Sequence, residues 1–284
     1  MLPNQLKTAL LLGLLGGLFL LVGYLIGGYQ GLTIGLIFAL GFNFISYWFS
    51  DRIVLALYGA KQAGKEEYYN LHQIVERVAH NAQLPKPRVY IINSPQANAF
   101  ATGRNQKRAV VACTTGTLNV LDKDELEAVI SHEVSHIKNR DILVGTIAAG
   151  IAAVISYVAF MARWAAIFGG FSRDDRDSNG LELLVLGILT PIIATLIQLA
   201  ISRSREFLAD ESGAHITKKP LALASALEKI AGSVHHHPLV PHASTTATAH
   251  LFISNPFRNI GWLHLFSTHP STADRVKRLK ELKF

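Results

Sequence analysis

The 284-residue chain is half hydrophobic, only 17% charged and positive in mean hydropathy at +0.28. That balance excludes an ordinary soluble domain and points to a membrane protein with a water-facing part. The net charge of +7 is spread along the chain with no aromatic-basic binding motif, so nucleic acid is not an expected partner, and the single Cys113 excludes an internal disulfide.

Between Lys7 and Asp51 lie 43 residues without a formal charge. As one helix they would measure roughly 64 Å, about twice a bilayer core of about 30 Å. Two spans fit, with the break at Gly27-Gly28-Tyr29-Gln30-Gly31, where glycines favour a turn. No small-x-small cleavage site follows the first span, which argues against a signal peptide. Residues 66–83 then carry a helical stripe of Leu71, Ile74, Val75 and Val78, closed by Leu84-Pro85-Lys86-Pro87. Short β-prone runs at 89–92 and 109–112, with 98–103 between them, read as a sheet of roughly three strands, and Cys113 as a small packed strand residue.

Asp122 or Lys123 opens a further helix, with Asp124 and Glu125 in its first turn as the helix dipole favours. It carries His132-Glu133-Val134-Ser135-His136. Two histidines one turn apart share a face at a spacing that suits Zn²⁺, and Glu133 lies beside that face, where it can polarise a metal-bound water. No Pro or Gly interrupts residues 123–144, so this helix is free to merge with a third apolar span at 142–162, closed by Arg163 and Trp164. A polar loop at 168–180 leads to a fourth span at 183–202, which contains Pro191. Helices are expected over 202–215, 221–230 and 272–282, with a loop at 233–248 that holds His235-His236-His237. That triplet reads as a site of adventitious metal rather than a second metal centre.

Four spans place the N-terminus, residues 51–140 and the tail on one side. Lys7, Arg52, Lys61, Lys65, Lys138, Arg140, Arg203 and Arg205 crowd that side near the span ends, so the positive-inside rule makes it cytoplasmic. The chain thus divides into a transmembrane hairpin (1–50), a first catalytic part (51–141), a second transmembrane hairpin (142–202) and a second catalytic part (203–284). The location expected is the plasma membrane of a prokaryote, or an equivalent membrane, with both termini in the cytoplasm.

A catalytic zinc needs a third protein ligand. His136 precedes the third span by about 9 Å of helix and Glu206 follows the fourth by about 6 Å. Antiparallel packing of those two spans brings both to one height above the membrane, which favours Glu206. Asp210, one turn further on, suits a carboxylate that orients a ligating histidine.

These stretches, together with Asn98-Ala99-Phe100-Ala101-Thr102-Gly103 and Thr268-His269-Pro270 with Arg275, resemble the HtpX-type membrane zinc metalloproteases, gluzincins related to the CAAX prenyl proteases. The resemblance covers nearly the whole chain. It implies a mainly α membrane protein with four transmembrane helices and a small α+β zincin-like catalytic domain. It also implies one catalytic Zn²⁺ held by His132, His136 and Glu206, Glu133 as general base, and Asp210 behind a ligand. Asn98, Ala99, Phe100, Ala101 and Thr102 match the edge strand that binds substrate backbone. His269 and Arg275 match residues that stabilise the oxyanion, although Ser271 stands where relatives have a second proline. The activity implied is endopeptidase cleavage of membrane or misfolded polypeptides at cytoplasmic segments, in protein quality control. The alternatives are a prenyl-protein protease or a non-catalytic zinc-binding sensor.

Overall fold

Residues Asn4–Leu57 are helical (α1) in the computed structural model, which describes residues 4–148, 151, 203–240, 245, 248–257 and 270–283. Within α1, Gly28 takes φ +55, a left-handed value that glycine reaches without steric cost and that a right-handed helix cannot absorb. The chain folds back there. On a straight helix Phe19 and Phe42 would be roughly 34 Å apart; their rings stack with centroids 4.9 Å apart, and Phe38 stacks on both. The apolar run is therefore a hairpin that turns at the expected glycines. Its second leg, Gly28–Ile45, is long and apolar enough to cross a membrane and is only 11% buried within the protein; Ala9–Leu21 in the first leg is a shorter apolar helix.

Leu11 and Leu15 pack against Val144, Ile147, Ala148 and Ile151, which ties the hairpin to the start of the expected third span. The rest of that span, the expected loop at 168–180 and the whole fourth span lie outside the described residues. The described chain is mostly helical with one small sheet.

The sheet has four strands: β1 (Lys61–Gln62), β2 (Arg88–Ile92), β3 (Ala99–Thr102) and β4 (Val110–Thr114), in spatial order β1-β2-β4-β3. β2 and β4 run parallel; β1 and β3 flank them antiparallel. The three expected strands are present, and β1 is an addition too short for a sequence pattern to reveal. Cys113 is fully buried in β4, and burial pushes its thiol pKa up.

Helix α2 (Tyr69–Asn81) buries the expected stripe, and the short α3 (Thr115–Val120) follows β4. Helix α4 (Lys123–Lys138) opens on a capping box, with Asp122 Oδ1 accepting from the Asp124 and Glu125 amides while Glu125 Oε2 accepts from the Asp122 amide. It lies between the sheet and helices α5 (Arg203–Thr217) and α6 (Pro220–His236), and three quarters of its residues are buried. Lys229 and Ser225 of α6 bind Glu125, while Arg77 of α2 and Lys219 bind Glu127. Helix α7 (Thr272–Glu281) turns Arg275, Val276 and Leu279 inward.

Two expectations change. α4 does not merge with the third span: the Asp141 amide donates to the His136 carbonyl at 2.9 Å and the Arg140 amide to Ile137 at 3.2 Å, with Arg140 at φ +59. This is a Schellman stop built on arginine, and without a glycine the sequence carries no mark of it. α6 runs on through His236, so His235 and His236 end a helix rather than lie in a loop.

α5 crosses α4 at Gly213, where an added Cβ would stand 3.0 Å from the His132 nitrogen and 3.1 Å from its Cα. Ser131 Oγ donates to the Gly213 carbonyl at 2.7 Å across the same contact. Gly213→Ala is expected to wedge the helices apart, costing about 1–3 kcal/mol of stability and some metal content. Thermal unfolding and metal analysis of the purified variant check this; wild-type values in both would show the crossing to be loose.

Candidate active site

One turn of α4 brings His132 and His136 to the same face, and α5 lays Glu206 across them. The two Nε2 atoms are 3.2 Å apart, His136 Nε2 is 3.5 Å from Glu206 Oε1, and His132 Nε2 is 3.8 Å from Glu206 Oε2. Four-coordinate zinc bonds of about 2.0–2.2 Å give ligand-to-ligand edges of about 3.3–3.6 Å. The three edges bracket that range. Among the described residues this is the one group of three or more His, Cys, Asp or Glu able to hold a metal ion.

The neighbours of the histidines fix their tautomers. His132 Nδ1 lies 2.9 Å from Asp210 Oδ1 and His136 Nδ1 lies 3.4 Å from Asp141 Oδ2. With a divalent ion among them, each Nδ1–H would face a carboxylate and each Nε2 would present a lone pair to the same point. Burial lowers His136, but the carboxylates of Asp141, Glu206 and Glu133 by themselves outweigh it and raise the group to about 9. Two such lone pairs and a carboxylate oxygen repel one another unless a cation lies among them, so the donor set fits a divalent metal. Burial, aided by Arg275, lowers His132 to about 4 and keeps it neutral for that role.

Asp210 is held by Arg275, whose Nε and Nη2 donate to its two oxygens at 2.8 and 2.7 Å. Burial alone would push Asp210 up; Arg275 and His132 outweigh it and hold the carboxyl at about 2, ionised. Arg275 also donates through Nη1 to the Ile253 carbonyl at 2.7 Å and is only 2% exposed. It is not among the residues lining the cleft over His132, Glu133 and His136. In this arrangement the guanidinium anchors Asp210 and a backbone carbonyl, with Nη2 also 3.3 Å from His132 Nε2 and Nη1 3.7 Å from Glu206 Oε2. Ser271 caps α7 by accepting from the Asp274 amide at 3.0 Å, which is what the departure from a second proline achieves here. His269 lies outside the described residues.

Glu133 is 2% exposed and lines the cleft beside both histidines. Burial pushes its carboxyl up to about 7, although His136, Arg275 and the Ala101 amide pull the other way. Ala101 is the β3 residue at the cleft. The other members of the expected substrate strand sit differently. Asn98 is wholly buried, with its side-chain nitrogen donating to the Ser254 carbonyl at 2.8 Å and its backbone amide donating to Thr114 and Thr117 hydroxyls. Phe100 is buried against Tyr58 and Phe252, and the Thr102 hydroxyl pairs with Thr146 at 2.9 Å. The Ile253 amide donates to the Ala99 carbonyl at 2.9 Å. Part of the β3 edge is thus paired with the chain's own residues 252–254.

Sequence reasoning missed Asp141, His250 and residues 251–253, which line the cleft. Asp141 stands five residues from His136, off the helical repeat, and is reachable only because α4 stops at Arg140. The 249–253 stretch carries no motif and no periodicity.

Residues 65–283 match the peptidase family M48. The chain belongs to this family. It is 53% identical over 279 residues to a "Protease HtpX homolog" of Thermococcus kodakarensis, which covers 98% of this chain and 95% of that protein. The same description holds for relatives in Pyrococcus furiosus (53% identical, covering 97% of this chain and 95% of the relative) and Aquifex aeolicus (51%, 94% and 89%). The fold is similar to that of S. mikatae Ste24p, with a TM-score of 0.53 at 17% identity, covering 94% of this chain. This chain spans 62% of that longer protein. As an M48 enzyme of the HtpX type, the protein is a metalloprotease.

Proposed function

We propose that this M48 protease is a membrane-embedded zinc endopeptidase that cleaves membrane or misfolded proteins at cytoplasmic segments. The convergence of His132, His136 and Glu206 beside Glu133 carries the reading. Held by those three residues, zinc would supply Lewis acidity at the scissile carbonyl and lower the pKa of a water.

The remaining work belongs to the chain. Glu133 takes the proton of the attacking water and delivers it to the leaving amine. Asp210 and Asp141 keep His132 and His136 in the ligating tautomer, and Arg275 keeps Asp210 in place. A substrate backbone lies beside Ala101, the stretch of β3 that opens on the cleft. Residues 51–141 and 203–284 together form the catalytic body, with both termini in the cytoplasm. The exposed Ile34, Ile37, Phe38, Leu40, Phe44 and Ile45 of α1 face lipid, so the cleft works on chains held at a bilayer surface. A protease placed there meets membrane proteins whose water-facing segments have unfolded, which is quality control.

Glu206→Ala is expected to take zinc from about one ion per purified chain to a small fraction of that, since two histidines alone bind weakly. Unchanged stoichiometry would mean that the third ligand lies elsewhere. For the substrate class, a membrane-anchored reporter with a destabilised cytoplasmic domain should be cut faster than its folded parent, and equal rates would overturn the quality-control reading. A C-terminal topology reporter should read cytoplasmic; a signal from the far side would overturn the orientation.

A further inference from the structure

Away from the catalytic cleft, the end of α1 meets the start of β2 and the β3–β4 connection at a pocket of about 260 Å³. Arg52, Arg88, Arg104, Lys107 and Arg108 line it, and Asp51 is the one acid among its lining residues. Asp51 is already engaged, 2.9 Å from Arg88 Nη2. The pocket therefore holds a surplus of cations that repel one another and attract an anion.

Its walls are arranged for a particular kind of anion. The Arg104 guanidinium lies 3.9 Å over the Trp48 ring, a cation–π contact that fixes its plane. Its Nη1 is buried with no hydrogen-bond partner. A guanidinium with its face on an indole presents its edge donors as a rigid fork, the geometry that matches phosphate oxygens. The position selects the source of that phosphate. Trp48 and Phe49 end the exposed apolar leg of α1, and Asp51 and Arg52 begin the charged segment. Acyl chains lying along Phe44 and Ile45 would bring a headgroup to this level, where tryptophan and arginine are the usual anchors.

We propose that this pocket binds the phosphodiester headgroup of an anionic phospholipid and so fixes the height and tilt of the catalytic body over the bilayer. The proposal rests on the membrane reading given above. It concerns residues that share none of the metal or cleft machinery.

The test uses the full chain purified in detergent and stripped of lipid, titrated with phosphatidylglycerol, with phosphatidylcholine of the same acyl length, and with inorganic phosphate. Bound lipid is counted by native mass spectrometry. Phosphatidylglycerol should bind one site at least about tenfold tighter than phosphatidylcholine, and inorganic phosphate should not compete at matched concentration. The exposed pair Lys107→Glu and Arg108→Glu should remove that preference by about tenfold or more, as loss and reversal of two cations near a phosphate require. Arg104→Gln should weaken phosphatidylglycerol selectively. Zinc content and casein cleavage in detergent should be unchanged in all of these variants. Equal binding of the two lipids, or variants with intact preference, would overturn the proposal; competition by phosphate as tight as by phosphatidylglycerol would assign the pocket to a free anion instead. Extraction of native membranes with alkaline carbonate tests the membrane reading separately. Release of the protein there would sink that reading while leaving the lipid titration readable.

Discussion

Replacing Glu133 with glutamine should leave about one zinc per chain and lower peptide cleavage by about 10²–10⁴-fold, the usual worth of a positioned general base. The amide matches the carboxylate in shape, so the buried seat beside Ala101 and the two histidines is kept and the fold should not change. What is lost is the ability to take a proton. Zinc analysis and casein cleavage on wild type and variant together give the answer. Zinc in both with cleavage only by the wild type supports the mechanism. A variant that keeps its zinc and cleaves within a few-fold of wild type would remove Glu133 from it.

Arg275→Met should be the most costly change to the fold among those considered. It leaves Asp210, 4% exposed, without the fork that holds both its oxygens, and removes the cation 3.7 Å from Glu206. Breaking a buried pair by deleting one partner costs about 3–5 kcal/mol, because the other charge remains buried and uncompensated. A fall in unfolding temperature is expected, together with weaker zinc retention as the carboxylate that orients His132 loses its anchor. Pairing the change with Asp210→Asn should recover part of the lost stability, since neither charge is then stranded. Arg275→Lys should not restore the wild type, because an ammonium cannot donate in the bidentate geometry. Undiminished stability with a reduced kcat alone would return Arg275 to the oxyanion role that sequence resemblance implies.

The convergence of His132, His136 and Glu206 into one group able to hold a metal was legible because that chemistry forces a spacing. Two histidines four apart must share a helix face, and Glu206 could be placed against them by counting distance from the expected spans. The hairpin was legible for a similar reason: an uncharged run twice as long as a bilayer is thick has to turn, and glycines mark the turn. What escaped depends on backbone geometry that no residue type announces. Arg140 adopts the conformation usually left to glycine, so the end of α4 and the approach of Asp141 to His136 were hidden. Arg275 was found by motif, but its environment decides its task, and only packing shows that its donors are already used. Residues 249–253 reach the cleft through a tertiary contact with β3, for which neither composition nor periodicity gives a sign. The same is true of the cationic pocket, whose arginines come from three separate segments that look evenly scattered along the chain.

The pairing of Ile253 with Ala99 bears on how copies of this enzyme coexist. A sheet border with free amides and carbonyls is a template for another strand, and proteins confined to one plane meet edge to edge far more often than those in solution. Here one border is a strand of two residues, and the other is partly overlaid by the chain's own 252–254 stretch. Short or covered borders give aggregation little purchase. In the membrane setting proposed above, such borders would keep neighbouring copies from joining sheet to sheet, and the part of β3 left open is the one beside Glu133, where the proposed substrate backbone would lie.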